Sequence, residues 1–400
     1  MALAVLVCAG SLKSHPLLAW MPVDLTLLAA VVVLVMGVSA ILHRNFIPLA
    51  FWVPLAFVVT TVLGLVEYAS AYGNEKALHF YTLTLLGMLA AALVLRDERQ
   101  RSAFLTTLAV IAVIVTVLVT IAPERPAAWS TVVTLPGTNT IATSRLILAG
   151  VIVVVLRAMI GDRKPIARIL LIMLAGFMIL TALNTGARGP IIAAAVGVIV
   201  ALLVTPAFGR RRLRSIILTL GVVGAGGYFA SQTQNGGLDR IMTFIEGGTD
   251  TSAGARTTFW DVALQHIPQV PFGGGWGYFG RIVKYGGDKD ATTVYPHNSV
   301  IEITLEAGWA AGAAFVFLAI VAFIRYVRAS DAAQPAAFFV LFVFAFANSL
   351  VSGDVNDNRL MWVLLIFPFL LHKPETTDSP RLPAGDEKQS VGILLTQGTR

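Results

Sequence analysis

The sequence predicts an all-α polytopic membrane protein with about twelve transmembrane helices. Hydrophobic residues fill 56% of its 400 positions and charged residues only 13%, about half the charged share of an ordinary soluble domain. Apolar runs recur all the way to Leu371, each near the roughly 20 residues needed to cross a hydrocarbon core about 30 Å thick. Most Lys and Arg residues fall in short connections and the C-terminal tail on one side of these runs, the asymmetry that orients a multi-span protein.

Lipid offers no hydrogen-bond partner to an exposed backbone, so each long apolar run reads as a helix. Spans are expected near residues 2–18, 25–42, 47–66, 77–95, 103–122, 141–160, 169–183, 190–205, 215–230, 299–324, 336–351 and 360–371. The first holds Lys13 and Pro16 and has neither the basic flank nor the cleavage site of a signal peptide, so it is expected to stay as an uncleaved span. Residues 1–372 then form one transmembrane catalytic domain that includes a large outer loop at 231–297. The polar, Pro-containing stretch 373–400 reads as a disordered cytoplasmic tail.

Basic groups at 96–101, 157–168, 210–214, 325–328 and in the tail mark the cytoplasmic side. They account for the net charge of +7 without nucleic acid, and the 210–214 cluster is suited to anionic lipid. Cys8, the single cysteine, excludes a disulfide framework or a Cys-based zinc site within one chain. Short cytoplasmic loops and the lack of a Walker-type sequence exclude a nucleotide-binding domain. In the outer loop, Phe259, Val262, Ala263, His266 and Ile267 fall at helical spacing, which predicts a short amphipathic helix on the outer membrane surface.

Charges at or inside spans are costly and usually functional. Arg145, Arg188, Arg256 and His297 all map to the outer side. Arg145 and Arg188 are expected to open spans, and Arg256 to begin the loop helix. A helix N-terminus and a guanidinium fork both suit phosphate oxygens, although a lone arginine at this depth also suits snorkelling to headgroups. His297 precedes Asn298, a candidate N-cap, and Asn298, Glu302 and Glu306 form a stripe at four-residue spacing. A neutral imidazole there can accept a hydroxyl proton, with Glu302 or Asp354 as candidates to hold its tautomer; a structural role is the plain alternative.

Asp288-Lys289-Asp290 has the form of a metal-holding carboxylate pair, but in a Gly-rich loop it reads as a solvated turn. No metal or other cofactor is expected, because fixed arginines can neutralise a pyrophosphate leaving group directly. The glycines of the stretch Gly275 to Gly280 match a dinucleotide pattern without its strand-turn-helix frame. They read instead as bend points that turn Trp276, Tyr278 and Phe279 toward lipid or a sugar ring.

Three segments together carry a family likeness: Thr185-Gly186-Ala187-Arg188-Gly189-Pro190; Arg256-Thr257-Thr258-Phe259-Trp260 ahead of Pro271-Phe272-Gly273; and His297-Asn298 with Glu306-Ala307-Gly308. In this order they resemble the O-antigen ligase and polymerase superfamily. The resemblance implies a membrane glycosyltransferase of the C class (GT-C) in the bacterial inner membrane, with its active site facing the periplasm. It also implies an undecaprenyl-pyrophosphate-linked glycan as donor and metal-independent, inverting transfer. A ligase would use lipid A-core as acceptor, whereas a polymerase would extend a second lipid-linked repeat. Ala311 stands where the ligase pattern has Gly, Thr or Tyr, so both branches stay open. A transporter or flippase is the rival from another class. Its charges would be expected near the bilayer midplane rather than at the outer edge.

Overall fold

The structure, a computed structural model, describes residues 1–43, 47–65, 70–125, 132–159, 164–205, 251–283, 294–330 and 333–371. The expected span at 215–230, the basic cluster at 210–214, Asp288-Lys289-Asp290 and the tail 373–400 lie outside them. The described residues form helices and no strands, apart from one isolated bridge between Glu124 and Thr134.

Among the described residues, six helices are long and apolar enough to cross a membrane. They are α2 (Leu25–Leu42), α4 (Ala71–Val94), α5 (Glu98–Ile121), α6 (Thr140–Met159), α7 (Pro165–Asn184) and α12 (Trp309–Ala329). Shorter apolar helices are α1 (Ala2–Leu12), α3 (Leu49–Thr61), α8 (Arg188–Val204), α13 (Ala333–Ser349) and α14 (Arg359–Ile366). The outer loop contributes α9 (Thr251–His266), α10 (Tyr278–Ile282) and α11 (Ser299–Ala307).

Local chemistry sets the ends. Asp24 caps α2 by accepting from Thr26 N, and Asp97 with Gln100 forms a reciprocal capping box on α5. Leu27, Val31, Leu34 and Val35 of α2 and Ile169, Leu170 and Met173 of α7 are exposed. A soluble protein rarely leaves such a continuous apolar surface uncovered; a lipid-facing one does. The buried centre is α6, mostly covered by neighbouring helices. A side-chain carbon added at Gly150 would lie only 2.1 Å from Ala112 Cβ, so this glycine lets α6 and α5 approach closely. A second packed group joins α3, α4, α12 and α14, where Phe57, Phe80, Phe315 and Trp362 have ring centroids 5.2–6.5 Å apart.

Three expectations need correction. The run 2–18 is not one long helix: α1 ends at Leu12 and a 3₁₀ turn occupies Pro16–Leu18, because Pro16 cannot continue the hydrogen-bond ladder. The run 299–324 is not one helix either. Gly308 adopts φ 96°, separating α11 from α12, and a side chain there would clash with the Phe272 backbone at 2.7 Å. Finally, Trp276 and Phe279 are fully buried rather than turned toward lipid or sugar.

That third correction explains the glycine-rich stretch. Gly273, Gly275 and Gly277 all have positive φ, and the loop wraps the end of α11. Gly274 N donates to the Leu305 carbonyl at 2.9 Å and Gly275 N to the Glu306 carbonyl at 3.0 Å. These are among the carbonyls that the break at Gly308 leaves without a helical partner. Trp276 N donates to Gly64 O at 2.9 Å, and a Cβ on Gly73 would lie 2.0 Å from Trp276 O, so the loop is clasped between α3 and α4.

Candidate functional site

The basic and outer ends of the bundle differ in what they hold. At the basic end, Arg101 donates to the carbonyls of Leu95 and Arg96, and Arg325 to those of Pro368 and Leu371. Arg157 Nη2 donates to Thr106 Oγ1 at 2.5 Å. The opposite end gathers Arg145, His297 and the turn 352–358.

Arg145 lies in the second turn of α6 rather than at its start, because the helix begins at Thr140. Its Nη1 donates to Asn358 Oδ1 at 2.9 Å and to the Asp357 carbonyl at 3.3 Å. Asn358 is fixed in turn, since its Nδ2 donates to the Asp354 carbonyl at 2.8 Å and the Ser352 carbonyl at 3.3 Å. Asp354 Oδ1 accepts from Asn356 N and Asp357 N, both at 2.8 Å, while Oδ2 accepts from the Tyr72 hydroxyl at 3.0 Å. Asp354 thus builds the turn that holds Arg145. A cavity of about 50 Å³ lies beside this arginine, lined in part by Asn348, Asn358 and Cys8; it is roomy enough for a few waters.

Arg188 is the first residue of α8, as expected. Its neighbour Gly189 faces Val351, the residue before that turn, with a built Cβ 3.6 Å from Val351 Cγ2. Arg256 sits in the second turn of α9 rather than its first. That helix forms where the spacing predicts it, but its apolar stripe packs on protein: Ala263 is buried with Phe279 and Leu305, and Phe259 meets Phe279 at 5.5 Å. Trp260 Nε1 donates to the Pro296 carbonyl at 2.8 Å, pinning α9 to the segment that carries His297.

His297 is the only described non-glycine residue with positive φ, at 57°, a conformation costly for a side chain of this size. Asn298 immediately after it caps α11 by accepting from Val300 N and Ile301 N. The imidazole lies edge-on to Tyr295 at 4.5 Å and parallel to Phe259 at 6.4 Å. Its Nδ1 is buried with no hydrogen-bond partner among the described residues. Burial first, then the positive charges of Arg256 and Arg145, hold its pKa down to about 4 against the opposing pull of Asp354. The three charged residues are therefore close enough to act on one ring. Burial and the fields of Asp357, Asp354 and Glu302 push the Tyr295 phenol upward, with Arg145 opposing them.

Neither Glu302 nor Asp354 hydrogen-bonds the imidazole. Glu302 is fully buried and its Oε1 lies 2.5 Å from Lys76 Nζ of α4; Glu306 closes on the same ammonium. The Asn298, Glu302 and Glu306 stripe thus divides into a helix cap and a buried ion-pair site. Sequence reasoning missed Lys76, Tyr72 and Tyr295. Lys76 carried a usable signal, because a lone lysine beside one span and two carboxylates in another are natural partners in lipid. Tyr72 and Tyr295 carried none, since no periodicity distinguishes them from other aromatic residues. Among the described residues, no group of three or more His, Cys, Asp or Glu side chains could hold a metal ion.

Residues 173–316 match the family described as O-antigen ligase. Over this stretch the chain is similar to that family. The superfamily match contains Arg188, Arg256 and His297, whereas Arg145 and Asp354 lie on either side of it. No curated protein matches the chain.

Proposed function

We propose that the protein is an O-antigen ligase, which transfers a glycan from undecaprenyl pyrophosphate to lipid A-core oligosaccharide at the periplasmic face of the inner membrane. The observation that carries this reading is the half-buried imidazole of His297, whose Nδ1 has no hydrogen-bond partner among the described residues and which lies under the field of Arg256 and Arg145. Its support from relatives is the superfamily match over 173–316. In this reading the helices form a GT-C-type bundle.

Arg188, Arg256 and Arg145 take up the donor pyrophosphate, and His297 accepts the proton of an acceptor hydroxyl as its oxygen attacks the anomeric carbon. The bond to the pyrophosphate oxygen breaks on the opposite face, inverting the configuration, and the arginines hold the charge that develops on undecaprenyl pyrophosphate. No step calls for a metal. The low pKa of His297 gives this scheme an internal control. A bound pyrophosphate offsets the arginine charges that disfavour protonation of the ring, so the imidazole becomes a better base once the donor is in place.

Ala311, in the position of Gly, Thr or Tyr in the ligase pattern, keeps the polymerase branch open as the second reading. Reconstitution with an undecaprenyl-pyrophosphate-linked glycan and either lipid A-core or more donor separates the two. Glycosylated lipid A-core supports the ligase; lengthened lipid-linked chains with unmodified core would make the protein a polymerase. Uptake of lipid-linked glycan into liposomes without any transfer would favour a flippase.

A further inference from the structure

Lys76 has no part in the scheme above, yet its side chain is fully buried between two carboxylates. Removing three charges from water is expensive, and apolar side chains of similar volume would hold two helices together at least as well. The same face of α4 makes a second set of contacts. Tyr72, one turn before Lys76, donates to Asp354 Oδ2; the Lys76 carbonyl accepts from Asn356 Nδ2 at 2.9 Å. Thr84, beyond a widened π turn at Phe80–Thr84, donates from Oγ1 to Asn356 Oδ1 at 3.0 Å. One helix face therefore grips α11, which begins next to His297, and also the turn that holds Arg145.

We propose that Tyr72 and Lys76 are positioning residues that set Arg145 and His297 in register, Tyr72 through Asp354 and Asn358, and Lys76 through Glu302 and Glu306 of α11. This rests on the proposed transfer reaction for its purpose, but the register itself can be read without turnover. The buried carboxylates need not ionise or move for the assignment to hold. What matters is that α4 bonds both partners at once.

The test uses the full-length protein in detergent with two variants: Tyr72→Phe, which removes one hydroxyl, and the charge-neutral triple variant Lys76→Met, Glu302→Gln, Glu306→Gln. Two quantities are measured besides melting temperature. One is kcat for glycan transfer per folded molecule. The other is the pH midpoint of His297 modification by diethyl pyrocarbonate, read on its own peptide by mass spectrometry. The groups that act on that ring are Arg256 of α9, Arg145 of α6 and Asp354 of the turn, with Tyr295 against its edge. The expected result is a fall in kcat of about tenfold in Tyr72→Phe, the loss of one hydrogen bond to a charged group. The midpoint should move away from about 4, because Asp354, released from the Tyr72 hydroxyl, and Arg145, held by the same turn, both act on the ring. A Tyr72→Phe protein with either quantity unchanged overturns the proposal, even if it melts earlier. If the triple variant does not fold, Tyr72→Phe decides alone. If the wild type transfers no glycan, the midpoint decides, and the functional reading fails separately.

Discussion

The two ends of the bundle both collect arginines but use them differently. At the basic end Arg101 and Arg325 close on carbonyls near helix ends, where cations also suit the helix dipole. At the opposite end Arg145 is held by a built turn, while His297 Nδ1, Ser144 Oγ, Ser352 Oγ and both amide atoms of Asn348 are buried without hydrogen-bond partners among the described residues. Folded proteins seldom leave several such groups unsatisfied in one neighbourhood unless something else is meant to meet them. In the proposed function, the second of these ends is the one that a ligand completes.

Substitutions should separate the ends. The largest effect is expected at His297, and Asn is the informative replacement because it tolerates positive φ. His297→Asn should keep the fold and lose about 10² to 10⁴ in transfer rate, as removal of a general base does. Arg188→Ala should lose about 10² to 10³, and Arg188→Lys should recover little of it, because an ammonium lacks the planar fork. Arg325→Ala should leave transfer per folded molecule unchanged while lowering stability by about 1 to 3 kcal/mol, measured by thermal unfolding, since two carbonyls lose a charged donor. A basic-end variant that folds normally and loses transfer would erase the contrast.

The smallest effect is a shift along the pH axis. A histidine whose pKa is depressed is neutral, and competent as a base, above that value and fails as pH falls through it. The acid limb of kcat/KM, which reports the free enzyme, should therefore lie near pH 4. That of kcat, which reports the donor complex, should lie higher, because the pyrophosphate offsets the arginines. In Arg256→Ala the kcat/KM limb should move up. Coincident limbs at the ordinary histidine value would remove the arginine field from the account.

Much of this was legible in the sequence, and the exceptions share one cause. Length and apolarity located most of the helices, and Asn298 announced the start of α11 by its capping chemistry. Arg188 stands at a helix start, where the Gly and Pro that follow it place it. The break at Gly308 was hidden because a glycine inside an apolar run reads equally as span; what breaks the helix there is the distant loop 271–277 supplying donors to its freed carbonyls. Nearness in sequence makes Glu302 a candidate partner for His297. The stronger claim on it comes from Lys76, more than two hundred residues away along the chain, which no local pattern can reveal. Trp276 was misplaced for the same reason: its buried position depends on contacts with Gly64 and Gly73.

The most direct measurement of the central claim is binding of undecaprenyl pyrophosphate to purified protein, compared between the wild type, an outer variant (Arg188→Ala or Arg256→Ala) and the basic-end variant Arg325→Ala. Weakened binding in each outer variant, with affinity retained in Arg325→Ala, is the result predicted. Equal affinity in all the proteins, or a loss confined to Arg325→Ala, would show that the outer arginines do not form a pyrophosphate site.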